Sequence, residues 1–148
     1  AHPGGREGCT FDRLARLPHG AMAIGAAIAL ASGNPMIYPR LDVKEYGRQR
    51  GVEGEFQDGE TAVVIDDLAT TGGSKFEAVE RLRQAGLRVT DIVVLIDRQS
   101  GAAAALEAQG LRLHAVFTIA ELIELWERTA GIRPDQAQAA RAFLANRG

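Results

Sequence analysis

From Phe11 onward, short apolar runs alternate with segments of helical spacing, which predicts an α/β fold: a parallel sheet with crossover helices. A first strand is expected at 12–17. A helix is expected at 21–32, where Ala and Gly permit close packing on a sheet and Gly33-Asn34-Pro35 supplies the stop. A short strand follows at 36–39. Between residues 40 and 59 the periodicity gives way to mixed charge and loop formers (Gly47, Gly51, Gly54, Asp58, Gly59), which predicts a long mobile loop or a flexible hairpin. Structureless stretches of that length inside a compact domain are uncommon and often serve as lids or binding loops.

The clearest strand is Ala62-Val63-Val64-Ile65, apolar on both faces as a central parallel strand is, and it runs into Asp66-Asp67. A small-residue loop at 69–74 then leads into a helix with Phe76, Val79 and Leu82 on one face and Glu77, Glu80, Arg81 and Arg83 largely on the other, ending at Gly86. A second central strand is expected at 89–96, an Ala-rich helix at 102–109 and a strand at 112–117. Next comes a helix with Ile119, Leu122, Ile123 and Trp126 on one face, and a last helix at 134–146. The expected organisation is a frayed or disordered segment at 1–10, one domain at 11–130, and a C-terminal helix within 131–148.

Composition narrows the function classes. With 148 residues, 46% of them apolar, the chain suits one domain with its own core. Seventeen Lys+Arg against 19 Asp+Glu leave a net charge of -2, which provides no basic field for gripping nucleic acid, so a phosphate recognised here needs a local site. The single cysteine, Cys9, excludes an internal disulfide or a multi-thiolate metal site. The longest apolar run, 21–31, is far short of the ~20 residues that span a bilayer, so a soluble, cytoplasmic protein is expected. Positive charge is nearly all Arg; the two lysines are Lys44 and Lys75.

The chemistry is concentrated in Val63-Val64-Ile65-Asp66-Asp67-Leu68-Ala69-Thr70-Thr71-Gly72-Gly73-Ser74-Lys75. At the carboxyl end of a parallel strand, loop N–H groups and the next helix N-terminus form an anion cradle. Thr70, Thr71 and Ser74 add donors, and Gly72-Gly73 let a phosphate approach the main chain. Two carboxylates beside that cradle would repel the anion and are better used on sugar hydroxyls or a divalent cation, so a phosphorylated sugar fits both halves. Walker-type and dinucleotide-binding loops fail on spacing, since neither G-x-x-x-x-G-K-[ST] nor G-x-G-x-x-G occurs. A turn-capping Asp or a turn-shaping Gly pair accounts for parts of the run but not for all of it.

This run resembles the phosphoribosyl-pyrophosphate (PRPP) motif of the type I phosphoribosyltransferases, with Ala69 standing where a bulkier aliphatic is usual. The resemblance implies a Rossmann-like parallel sheet flanked by helices. It implies that Asp66 and Asp67 hold the ribose 2- and 3-hydroxyls, and that Leu68, Ala69, Thr70, Thr71, Gly72, Gly73 and Ser74 form the PRPP stretch whose loop binds the 5-phosphate.

Three further stretches, covering with the first most of 11–126, are similar to the orotate phosphoribosyltransferases. Pro35-Met36-Ile37-Tyr38-Pro39-Arg40, Val43-Lys44-Glu45-Tyr46-Gly47 and Val52-Glu53-Gly54 resemble that family's strand and mobile catalytic loop, which places Lys44 at the loop lysine and Arg40 and Tyr46 on the same diphosphate. The family's loop closes over pyrophosphate, often from a neighbouring subunit, which implies a homodimer whose 40–59 loop reaches the adjacent site. Ile96-Asp97-Arg98-Gln99-Ser100-Gly101 resembles the segment whose arginine meets the orotate carboxylate, with Thr70 also on the orotate side. A guanidinium fork suits a planar carboxylate; the plainer reading of Arg98 is a surface residue paired with Asp97 or Glu107. Leu17-Pro18-His19-Gly20 occupies the pyrophosphate loop, with His19 and Gly20 as PRPP contacts.

The implied reaction transfers phosphoribosyl from PRPP to orotate, giving orotidine 5'-monophosphate and pyrophosphate in de novo pyrimidine (UMP) synthesis. Mg²⁺ is carried by PRPP, with no protein metal ligand assigned, and Lys44 stabilises the leaving group. No protein nucleophile is required. His2, His19 and His114 are scattered, and His114, alternating within a strand, reads as structural.

Departures from the family favour an alternative, a catalytically weak PRPP- or nucleotide-binding regulatory module. Leu41 stands where a second lysine is usual. Arg16 stands where the pyrophosphate loop usually has glycine, so its side chain either opposes the loop geometry or binds an anion. The resemblance also begins at about the first core strand, so the family's N-terminal hood segment, which covers and reads the base, is expected to be missing. Lys44, Tyr46 and Arg98 favour the enzyme.

Overall fold

The computed structural model describes residues 10–18, 20–40 and 51–146. Strands β1 (Arg13–Arg16), β2 (Met36–Pro39), β3 (Val52–Glu53), β4 (Ala62–Ala69), β5 (Asp91–Asp97) and β6 (Arg112–Thr118) form one sheet in the order β3-β2-β1-β4-β5-β6. All neighbours are parallel except β3, which runs antiparallel to β2. The helices are α1 (Ala21–Ser32), α2 (Gly73–Gln84), α3 (Ala102–Glu107), α4 (Ile119–Arg128) and α5 (Pro134–Ala145).

Alternation along the strands divides the core. Leu14, Val63 and Ile65 face α1 and meet Ile24 and Ile28, while Ala15, Val64, Ile92 and Val94 face the side built from Ala78, Val79 and Leu82 of α2 and Leu106 of α3. Both faces of β4 are therefore covered over 62–65, which is why that part of the strand is apolar without interruption. The small residues of α1 let it lie close to the sheet: a β-carbon on Gly25 would come 3.2 Å from Cβ of Arg16 and 3.3 Å from Sδ of Met36. Gly33, at φ 75°, ends this helix by donating its N–H to the Ala29 carbonyl.

The strand order creates the site. From β1 the chain winds outward to β2 and β3 on one side, then returns to lay β4 against the other side of β1. The connections leaving the carboxyl ends of β1 and β4 therefore part in opposite directions, and the crevice between them is the switch point at which open α/β sheets bind ligands.

Three details differ from the sequence reading and a fourth selects between its alternatives. Strand β4 continues through the acidic pair to Ala69, because Asp66, Leu68 and Ala69 find parallel partners in Val94, Ile96 and Asp97. Ladder pairing overrides the poor strand propensity of Asp. The following loop shrinks to 70–72, and α2 starts at Gly73. The 40–59 stretch is not wholly loop: β3 pairs Glu53 with Tyr38 and Val52 with Pro39, and the Arg40 N–H donates to the Gly51 carbonyl at 2.8 Å, the hairpin form of the expectation. Finally, α4 buries Leu122 and Ile123 but leaves Trp126 42% exposed, so its apolar face is only partly covered. The expected frayed segment at 1–10 lies, save residue 10, outside the described residues.

Candidate functional site

Gly20 ends the connection after β1, and Asp67 lies near the carboxyl end of β4. The two meet across the crevice so closely that a β-carbon on Gly20 would lie 2.0 Å from Oδ2 and 2.4 Å from Cγ of Asp67. The first turn of α1, which begins at Ala21, thus presents its N-terminal dipole to the Asp67 carboxylate.

Asp66 points to the opposite face of β4 and is only 8% exposed. Its Oδ1 accepts the Asp67 N–H at 2.9 Å, and its Oδ2 accepts Nζ of Lys75 at 2.6 Å. Lys75, 2% exposed, donates a second hydrogen bond to the Leu68 carbonyl at 2.7 Å. Burial pushes the Asp66 carboxyl above its ordinary value; the Lys75 ammonium and the Asp67 N–H pull it back without cancelling the rise. The two acids are thus inequivalent: Asp66 is sunk and clamped, while Asp67 is half-buried against Gly20.

The turn 70–72 places Gly72 at φ 91°, where a β-carbon would come 3.3 Å from the Phe76 ring, while Gly73 has nothing within 4 Å of such an atom. Thr71, Gly73 and Ser74 are exposed and Thr70 is half-buried. Among the described residues no side chain caps α2 and its first turn holds no acid; the Lys75 N–H donates to the Gly72 carbonyl at 3.0 Å, so the N–H groups of Gly73 and Ser74 remain for an anion. The stretch that the sequence reading assigns to a phosphate thus lies beside the acidic pair.

Arg98 follows β5 directly, and its N–H donates to the Ala69 carbonyl at 3.0 Å, which fixes it beside the end of β4. Neither Asp97 nor Glu107 pairs with its guanidinium; Asp97 instead accepts the N–H of Gln99 at 2.8 Å. Among the described residues no ion pair engages Arg98. Arg40, at the end of β2, is held through Nε by Oε1 of Glu53 at 2.5 Å, and the same carboxylate accepts the Tyr38 hydroxyl. That hydrogen bond, with burial adding to it, holds the Tyr38 phenol above its ordinary value. Arg16 lies in β1, with its guanidinium 4.4 Å above the Tyr38 ring, a cation–π contact between neighbouring strands.

Asp66, Asp67, Leu68, Ala69, Thr70, Thr71, Gly72, Gly73, Ser74, Gly20 and Arg98 are therefore gathered at the carboxyl ends of β1, β4 and β5, whereas Arg40 sits toward the β2–β3 edge. His19, Lys44 and Tyr46, with Leu41, lie outside the described residues. His114 is structural, its Nε2 2.6 Å from Oδ1 of Asp91. Sequence reasoning misses the contact of Lys75 with the acidic pair, although the chain carries a signal for it. The spacing of Lys75 with Val79 and Leu82 puts it on the buried face of α2, and a buried lysine requires an acid partner. Among the described residues no group of three His, Cys, Asp or Glu is arranged to hold a metal ion, and no helix is long and apolar enough to cross a membrane.

No protein-family model matches the chain. It is similar to the orotate phosphoribosyltransferase of Cenarchaeum symbiosum (46% identity, 70% of this chain and 52% of the relative). It is also similar to the orotate phosphoribosyltransferase of Thermococcus gammatolerans (35% identity, 88% of this chain and 69% of the relative). Among solved structures, Leishmania donovani UMP synthase superposes with a TM-score of 0.85 at 43% identity, over 93% of this chain and 30% of that one. The chain thus spans about half the length of the Cenarchaeum relative and under a third of the Leishmania protein.

Proposed function

Since the chain belongs to the orotate phosphoribosyltransferase family, we propose that it transfers the phosphoribosyl group of PRPP to orotate, releasing pyrophosphate and forming orotidine 5'-monophosphate on the route to UMP. The observation that carries this reading is the meeting of Gly20, the Asp66-Asp67 pair, the 70–74 cradle and Arg98 at one switch point. The ribose 5-phosphate docks on the N–H groups of the cradle. The ribose hydroxyls face the acidic pair, Gly20 leaves room for the Asp67 carboxylate to hold its place there, and Arg98, reaching from the end of β5, takes the orotate carboxylate as a two-pronged donor.

The chemistry asked of these residues is electrostatic. The bond from C1 to the diphosphate oxygen breaks, its electron pair leaves with pyrophosphate, and a ring nitrogen of orotate forms the new bond to C1 as its N–H proton is released to water. The nearby carboxylates suit the oxocarbenium charge that develops between these events. Lys44, assigned by family resemblance, offsets the charge of the departing diphosphate. Magnesium is proposed to arrive as the PRPP complex, since this ion commonly keeps phosphate and water oxygens as ligands. A cytoplasmic homodimer whose 40–59 loops reach the neighbouring sites belongs to the same proposal.

One observation favours a second reading, a PRPP-binding module of low activity: Arg40, expected on the diphosphate, is engaged by Glu53. The test is the ultraviolet absorbance of orotate mixed with the protein, PRPP and Mg²⁺, beside an orotate-free control for PRPP hydrolysis. Magnesium-dependent loss of orotate absorbance is the expected result. Unchanged absorbance with saturable PRPP binding in a calorimeter selects the module, and absence of both rejects the two readings together.

A further inference from the structure

The buried pair beneath the phosphate cradle has a geometry that packing alone does not require. Lys75 donates to Oδ2 of Asp66 at 2.6 Å and to the Leu68 carbonyl at 2.7 Å, two acceptors two residues apart on one side of β4. Lys75 itself stands in the first turn of α2. Its side chain therefore ties the carboxyl end of the strand to the start of the helix, the two elements that flank the 70–72 turn. The Asp67 N–H bound to Oδ1 of Asp66 extends the same chain of contacts to the acid that faces Gly20.

We infer that Lys75 is a positioning residue of the PRPP site, acting through Asp66 to fix the acidic pair and the cradle in one relative geometry. The inference rests on the phosphoribosyl-transfer reading and specifies how that site is held. Two physical arguments support it. A buried ion pair is seldom more stabilising than apolar residues of the same volume, so a lysine 2% exposed beneath a ligand loop is better explained by the geometry it imposes. Two adjacent carboxylates also repel a phosphate at close range, and an ammonium bonded to one of them offsets that field where water has little access.

The experiment is a cycle of four proteins: unaltered, Lys75→Met, Asp66→Asn and the double variant. Binding of Mg²⁺-PRPP is read by calorimetry, and kcat and the orotate KM by absorbance. Lys75→Met is expected to weaken PRPP binding by about tenfold or more, the scale of a lost charged hydrogen bond, and to leave the orotate KM unchanged. The double variant is expected to bind PRPP as Asp66→Asn alone does, because the lysine has nothing left to position. Unaltered PRPP affinity in Lys75→Met would overturn the inference, as would a double variant weakened by the product of the two single effects. If Lys75→Met alone does not fold, the charge-neutral double variant compared with Asp66→Asn decides by the same criterion. Failure of the unaltered protein to bind PRPP is a separate result, and it strikes the phosphoribosyl-transfer reading itself.

Discussion

The carboxylate of Asp67 occupies the space that a side chain on Gly20 would fill, with Oδ2 2.0 Å from the β-carbon position. Gly20 is at φ -64° and ψ -35°, a conformation that any residue adopts, so the backbone does not demand glycine here; the neighbouring acid does. Gly20→Ala should therefore leave the fold intact and force Asp67 out of its place. We expect PRPP affinity to fall by about tenfold while the thermal midpoint changes little, measured by calorimetry beside a melting curve. Unchanged affinity would remove Gly20 and Asp67 from the site.

Arg98 has a main-chain anchor, its N–H on the Ala69 carbonyl, and no ion pair among the described residues. Such a guanidinium is ready for an incoming carboxylate without first breaking another contact. Arg98→Ala is expected to raise the orotate KM by about tenfold to a hundredfold with PRPP binding unchanged. Arg98→Lys should recover only part of the loss, because an ammonium keeps the charge but not the planar fork. A raised PRPP Kd with an unchanged orotate KM would instead place Arg98 on PRPP and overturn the orotate assignment.

Much of this arrangement is legible in the chain because it depends on neighbours in sequence. The apolar run 62–65, the Asp66-Asp67 pair at its end and the Gly33 stop each obey local rules and lie where those rules place them, and the small-residue turn is foreseen although it is shorter than expected. What sequence reading misses depends on partners distant along the chain. Strand β4 outlasts its apolar run because β5 supplies a ladder as far as Ala69. The two-residue β3 exists only because β2 lies beside it. The pairing of Lys75 with Asp66 requires the helix face and the strand face to be known together, and the seat of Arg16 on Tyr38 requires the order of β1 and β2.

Lys44 is the cation that family resemblance places over the diphosphate, and the charge it meets grows as the leaving group departs. An interaction that strengthens only in the transition state appears in turnover and hardly in ground-state binding. Lys44→Ala should lower kcat by about a hundredfold or more and leave the PRPP Kd within about threefold by calorimetry. Equal losses in both would make Lys44 a binding residue, and no loss in either would remove the loop from the chemistry.

Asp91 provides a pH test independent of the ligand site, because it begins β5 at the end of the strand opposite Arg98. Burial works to raise its carboxyl, but hydrogen bonds from Arg112 at 3.0 Å, from His114 at 2.6 Å and from Thr90 at 2.7 Å outweigh that effect and hold it below the ordinary value. Between the folded and the ordinary value the unfolded chain binds more protons, so stability rises with pH across that interval. The contribution is complete above the ordinary Asp value and is lost as pH falls through the lower folded one. Asp91→Asn should therefore cost about 1–3 kcal/mol at neutral pH. Its melting curve should converge with that of the unaltered protein on acidification below about pH 4, and PRPP affinity should not change. A gap between the two curves that stays constant down to pH 2 would show that Asp91 acts by shape and not by charge.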